Sequence, residues 1–187
     1  KVRQVLRSWL RDIITKLKIT SIFVTHDQDE AIEVADKIII TNKGRVEQMG
    51  TPVEVYQRPE TAFTASFFGH TSFLEDYTKF SSFEKIPNAE KAIVRPEFVK
   101  VAKKTENIIY RASASEGEVT QVSFRGDVTE LKINVNGSAV TAHRGLNHSE
   151  IKVGEKVDVF LYRIFVTSGN KAYILENKTL SENSVVI

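Results

Sequence analysis

Cysteine is absent from the 187 residues. Its absence excludes disulfides, thiolate metal sites and thiol nucleophiles together, and is compatible with a reducing compartment. Charge of one sign is also lacking: 26 Lys and Arg face 24 Asp and Glu, a net of +2. That balance creates no field that would by itself argue for nucleic acid or an anionic membrane surface. No apolar run approaches the roughly 18 to 20 residues that span a bilayer as a helix, so work at a membrane would pass through a partner. The nine glycines never form G-x-x-x-x-G-K-[ST] or G-x-G-x-x-G, and no serine stands in G-x-S-x-G. Without a phosphate-cradling loop, the chain is not expected to bind a nucleotide by itself. His70, His143 and His148 have no neighbours at metal-ligand spacing, so no metal site is expected.

What is present is an ordinary globular composition, 41% hydrophobic, in a chain long enough for one full core or two small ones. It opens inside a helical pattern. Val2, Leu6, Trp9, Ile13 and Leu17 recur at helical spacing, with Arg3, Arg7 and Arg11 on another side as a solvated face or a packing surface. With no initiator Met and no signal-like segment, the chain reads as the C-terminal piece of something longer. To about residue 70 helix and strand alternate. "ITSIFVT" is a continuous β-prone run, expected as a central strand of a mostly parallel sheet covered on both faces. Asp27 followed by Glu30 is a capping-box pattern, predicting a helix from Gln28 to about Ala35 that buries Ala31, Ile32 and Ala35. "KIIIT", the turn "NKG" and "RVEQMG" predict a β-hairpin. Thr51, Pro52 and Glu54 then start a helix that stops before Pro59, and a further short helix closes at Gly69.

Residues 71–90 lack a clean period and are expected as a connection with some local structure. Beyond them come short β-prone runs: "IIYRASASEGEVTQVSF", "DVTELKINV", "SAVTAHR", "KVDVFLYRIFVT" and "KAYILEN", separated by turn signals such as "NG", "VGE" and "SGN". That succession predicts a small barrel or sandwich. Tyr110, Phe124, Phe160, Tyr162 and Phe165 are candidates for its core rather than for a stacking face, and nucleic acid is not expected as a partner.

His26 is the residue whose position suggests chemistry. In open α/β sheets, groups at the carboxyl end of a central strand face the ligand crevice. A histidine there, just before a helix start with exposed N–H groups, could hydrogen-bond a phosphate oxygen or a water. The competing reading makes it only the polar cap of a strand. Asp27, Gln28 and Glu30 are better read as the helix start than as catalysts.

"SIFVTHDQDEAIEVADKIIITNKGRVEQMGTPVEVYQRPETAFTASFFG" resembles the last third of the ATP-binding subunit of ABC importers, in which "VTHDQ-x-EA" carries a switch histidine. "AIVRPEFVKV", "GEVTQVSFRGDVTELKINV" and "VGEKVDVFL" are similar to the accessory TOBE domain of such subunits. Within that family "VRQVLRSWLRDI" and "TSIFVTHDQDEAIEVAD" look most like the sulfate/thiosulfate type. The resemblance implies an α/β plus β fold: residues 1–70 as the C-terminal part of a P-loop ATPase domain, 71–90 as linker, and 91–187 as an OB-like TOBE barrel. It implies His26 as the catalytic and γ-phosphate-contacting residue, with ATP and Mg as cofactors of a full-length parent and none bound by this piece alone, which is expected to be inactive. The implied partners are a second ATPase subunit in a homodimer, integral membrane permease subunits and, indirectly, a solute-binding protein. The implied place is the cytoplasmic face of the cell membrane. The family's Walker A loop, glutamine loop, signature motif and Walker B strand have no counterpart here. Two alternatives remain: import of a polyamine, iron or a sugar, and a TOBE-type regulatory module for a small oxyanion.

Overall fold

The computed structural model describes residues 2–89, 91–107 and 110–182. The chain divides into two compact units, Lys1–Phe68 and Gly69–Ile187.

The first unit begins with α1 (Val2–Leu17). The residues that follow it form no strand. "ITSIFVT" takes no regular secondary structure and has no ladder partner among the described residues, and Ile22 and Val24 are 94% and 90% exposed. The expected central strand is therefore absent, for a physical reason. β-branched side chains favour extended backbone, but a strand exists only where a neighbour takes its N–H and C=O groups. The helix predicted next is α2 (Gln28–Val34). Val34 is its buried residue, whereas Ala31, Ile32 and Ala35 are half-buried against the core.

The hairpin forms as expected from β1 (Ile38–Asn42) and β2 (Arg45–Gly50), paired antiparallel. Lys43 and Gly44 both have positive φ, 48° and 74°, the backbone of the tight turn that matches strand twist. Ile38 and Ile40 point inward to meet Val55 and Phe68, and Ile39 and Met49 pair on the exposed face. Buried Gln48 is satisfied twice: its amide donates to Arg58 O at 2.9 Å and its oxygen accepts from Glu60 N at 3.0 Å. The next helix, α3 (Pro52–Gln57), carries a complete capping box. Glu54 N donates to Thr51 Oγ1 at 3.2 Å, and Thr51 N donates to Glu54 Oε2 at 2.8 Å. α4 (Ala62–Phe67) closes the unit.

In the second unit, residues 69–91 hold more than a connection. β3 (Ser72–Leu74) pairs with β4 (Ala92–Val94), and Leu74, Tyr77, Phe80 and Phe83 enter the core. The Tyr77 hydroxyl accepts from Ile86 N at 2.7 Å, so its buried oxygen is not left unpaired. After β5 (Val99–Lys103) come β6 (Ser115–Phe124), β7 (Val128–Val135), β8 (Ser138–Gly145), β9 (Lys156–Leu161), β10 (Arg163–Ser168), β11 (Lys171–Glu176) and a short helix α5 (Lys178–Glu182).

Two antiparallel sheets result, ordered β5-β9-β6-β7-β8 and β11-β10-β4-β3. The five-stranded sheet curls until β8 lies against β5, a half-barrel of OB-like form. At Gly117 on β6 an added Cβ would lie 2.6 Å from Ile133 and 2.8 Å from Val135. Glycine there allows the close packing of the interior. The run "KVDVFLYRIFVT" is two strands, not one. Tyr162 breaks it, donating its N–H to Phe98 O and accepting from Asn177 N, as the chain crosses from one sheet to the other. Of the expected "IIYRASA" strand, residues 108 and 109 lie outside the described residues, and Arg111–Ser113 form a 3₁₀ turn. Phe160 and Phe165 are fully buried as expected for core, but Phe124 is exposed at the end of β6, and Tyr110 and Tyr162 are half-buried.

Candidate functional site

The turn that carries His26 is built by its neighbours. Thr25 Oγ1 accepts from Asp27 N at 3.0 Å and donates to Glu30 Oε2 at 2.8 Å, so one hydroxyl bridges the two ends of the bend. Asp27 caps α2, its Oδ1 accepting from Glu30 N at 3.1 Å. Only half of the expected capping box forms, because the Glu30 carboxylate is engaged by Thr25. A donor at the start of α2 that could have served a ligand is thus already taken by Asp27.

Arg7 of α1 holds this turn from the other side. Its guanidinium lies 3.1 Å from Asp27 Oδ2, 3.9 Å from Glu30 Oε1 and 3.5 Å from Glu33 Oε2, with the Arg7 side chain 13% exposed. Arg11 donates to Glu33 O at 2.9 Å and Val34 O at 3.3 Å, satisfying carbonyls at the far end of the same helix. A cation there also suits the negative end of the helix dipole. Gln28 donates its side-chain amide to Phe67 O, anchoring the helix start to α4. The arginine stripe of α1 is therefore a packing surface at Arg7, one of the two readings open for it, and what the sequence left unnamed is the set of carboxylates it meets. A signal existed: carboxylates at 27, 30 and 33 repeat at the spacing that would face arginines at 7 and 11.

His26 itself is exposed, and its imidazole has no hydrogen bond or ion pair among the described residues. The arrangement can present either ring nitrogen from a backbone position fixed by Thr25 and Asp27. The other histidines lie in the second unit. His143 Nε2 stands 3.8 Å from buried Glu130, whose carboxyl is held below its usual range chiefly by a hydrogen bond from Arg125, against the opposing effect of burial. Among the described residues no group of three or more His, Asp or Glu is arranged to hold a metal ion. No helix among them is long and apolar enough to cross a membrane.

Residues 92–161, which run from β4 to β9 and hold the whole five-stranded half-barrel, match the TOBE domain family. Over more of its length the chain is similar to ATP-binding subunits of ABC importers. The chain is 34% identical over 177 residues to a spermidine/putrescine import ATP-binding protein PotA of Clostridioides difficile, a match that takes in 87% of this chain and 48% of that one. It is 60% identical over 72 residues to a sulfate/thiosulfate import ATP-binding protein CysA of Acinetobacter baylyi, covering 38% of this chain and 20% of that one. A CysA of Nephroselmis olivacea matches at 48% over 88 residues, 47% of this chain and 26% of the relative. Residues 92–161 thus match the TOBE domain family, and the relatives to which the chain is similar are ATP-binding subunits of ABC importers, of which it spans less than half the length.

Proposed function

We propose that this chain is the C-terminal portion of the ATP-hydrolysing subunit of an ABC importer. Residues 1–70 would be the switch-histidine end of the P-loop ATPase domain, 71–90 the connection and 91–187 the TOBE-type regulatory part. The observation that carries the reading is the presentation of His26: an exposed, unpartnered imidazole on a turn clamped by Thr25, Asp27 and Arg7. No strand forms at this position among the described residues, so the strand-cap reading and the argument from the end of a central strand both lose their footing, and the support is this exposure together with the likeness of "VTHDQDEA" to the switch-histidine motif.

In the full subunit His26 would touch the γ-phosphate side of Mg-ATP and help position the attacking water, the kind of contribution that carries phosphoryl transfer. The chain alone has no loop to cradle the phosphates, so no hydrolysis is expected from it. Two such subunits would close on ATP and act on membrane permease subunits fed by a solute-binding protein, at the cytoplasmic face of the membrane. Sulfate or thiosulfate is the favoured solute, supported by short stretches of 56% and 60% identity to CysA proteins. A polyamine is the second reading, because the PotA match extends over far more of the chain. A role for the TOBE part as an oxyanion-responsive module is compatible with either.

The test is His26→Ala in the full-length subunit. Hydrolysis should fall by roughly 100-fold while ATP affinity and melting temperature stay near their starting values. Normal turnover with reduced stability would make His26 structural. Uptake of labelled sulfate against labelled spermidine by cells carrying the intact transporter separates the two solutes.

A further inference from the structure

A groove of about 440 Å³ lies along β5 and β9 of the second unit, within the size range of small-molecule sites. Its construction follows from strand alternation. Val99, Val101, Val157, Val159 and Leu161 face the core, which turns Lys100, Ala102 and Phe160 to the opposite face, where Lys100 and Phe160 are cross-strand partners. Tyr110 stacks on Phe160 with ring centroids 4.9 Å apart and an interplanar angle of 23°. Tyr162 meets Phe160 edge-on at 5.0 Å. Phe160 is fully buried beneath them, so Tyr110 and Tyr162 present the apolar wall.

The opposite edge is pinned by Arg144. It donates to Val101 O at 2.9 Å, to Ser149 O at 3.2 Å and to Glu106, while Ser149 Oγ donates to Glu106 Oε1 at 2.7 Å. These bonds join β5, β8 and the segment after each of them, so the groove is held open by the fold and needs no ligand to form it.

Charge then selects the occupant. Glu106 is neutralised by Arg144. Farther along the same face Asp158 is paired with Lys104 and Arg111, and Glu116 with Lys104 and Lys156. Lys100 and His148, which line the groove, have no carboxylate partner among the described residues. Glu106, Asp158 and Glu116 are each paired, and Lys100, at the strand position opposite Phe160, is left without a carboxylate partner among the described residues.

We propose that this groove binds a small planar aromatic monoanion, its ring against Tyr110 and Tyr162 and its anionic group toward Lys100, with Asn107 and His148 at the rim. This chemistry combines ring stacking with one charge-assisted contact. It is distinct from the proposed ATP contact at His26, and it does not depend on which solute is transported.

The test is an amide NMR titration of the whole chain with 2-naphthoate, set beside inorganic sulfate, which has charge but no ring, and 2-naphthalenemethanol, which has the ring but no charge. Naphthoate should shift the amides of residues 100–102, 106–107 and 160–162 saturably, and neither control should match its affinity. Lys100→Met, at an exposed position on β5, should weaken naphthoate about 5-fold or more without changing the fold, and Tyr110→Leu about 10-fold. The proposal is overturned by the absence of saturable shifts at those amides, by equal affinity for either control, or by unchanged affinity in Lys100→Met.

Discussion

Replacing Glu106 with glutamine should change not only the stability of the TOBE unit but its dependence on pH. Glu106 accepts from Arg144, from Ser149 Oγ and from Lys103 N. These contacts, the Arg144 hydrogen bond foremost, draw its carboxyl from 4.5 down to about 2 despite the opposing effect of partial burial. A carboxyl whose folded value is depressed binds its proton less readily than in the unfolded chain. It therefore contributes stability that is fully present above about pH 4.5 and is lost as pH falls toward 2. At 1.36 kcal/mol per pH unit the displacement corresponds to roughly 3 kcal/mol, an upper figure because the Glu106 side chain retains 26% exposure. Glu106→Gln should thus unfold at lower urea at pH 7, by about 2 kcal/mol or more, since Arg144 would be left buried without its counter-ion. The gap to the parent chain should close between pH 4.5 and 2. The assay is urea unfolding followed by far-UV circular dichroism across that range, with Trp9 fluorescence as a separate reporter for the first unit. Curves for the two proteins that run parallel from pH 7 to pH 2.5 would refute the reasoning, because all other carboxylates are common to both.

Arg7→Met should lower the stability of the first unit by about 1–2 kcal/mol, read from Trp9 fluorescence, as three carboxylates lose their shared, largely buried cation; an unchanged midpoint would show the clamp to be energetically idle. Gly117→Ala should destabilise the second unit by about 1–3 kcal/mol, because its Cβ would collide with Ile133, Val135 and Val159 on strands that cannot shift independently. Urea unfolding by circular dichroism checks it, and a variant as stable as the parent would show that the barrel relaxes there. Limited proteolysis should cut first within residues 19–24, where apolar side chains are exposed on unpaired backbone, and leave a resistant piece beginning near residue 69; early loss of the β-rich part with survival of α1 to α4 would contradict that order.

What could be read from the chain in advance was local chemistry. The β1–β2 turn follows from Lys43 and Gly44, which adopt the positive φ such a turn demands. The start of α3 follows from Thr51 and Glu54, which satisfy each other's backbone donors, and from Pro52, which has no N–H to satisfy at the first helical position. Neither depends on anything distant. "ITSIFVT" failed because a strand is a relation between two segments, and its composition reports only a willingness to extend. The break at Tyr162 was hidden for a related reason. β9 and β10 are both buried, so apolar residues continue straight through the crossing, and only the bonds from Tyr162 to Phe98 and Asn177 reveal that the sheet has changed.

The same division applies to the sites. The turn that carries His26 was visible because its signal is sequential: an apolar run ends, a polar residue follows, and a cap begins one residue later, whereas the role of the imidazole itself is a proposal. Arg7 was less visible because its significance requires α1 and α2 to meet, 20 residues apart, and an arginine stripe without a known neighbour reads equally well as a solvated face. The groove in the second unit lies at the far end of this scale. Glu106 and Arg144 are 38 residues apart and Lys100 and Phe160 sixty, and nothing in the spacing of either pair distinguishes them from ordinary surface charges and core aromatics. It is the curl of the barrel, bringing β8 to β5, that neutralises Glu106 and so leaves Lys100 without a carboxylate partner among the described residues. A ligand preference at this position would therefore be a property of barrel closure. Substitutions that loosen the contact between β8 and β5, such as Arg144→Met, should abolish naphthoate binding while leaving Lys100, Tyr110 and Phe160 chemically intact.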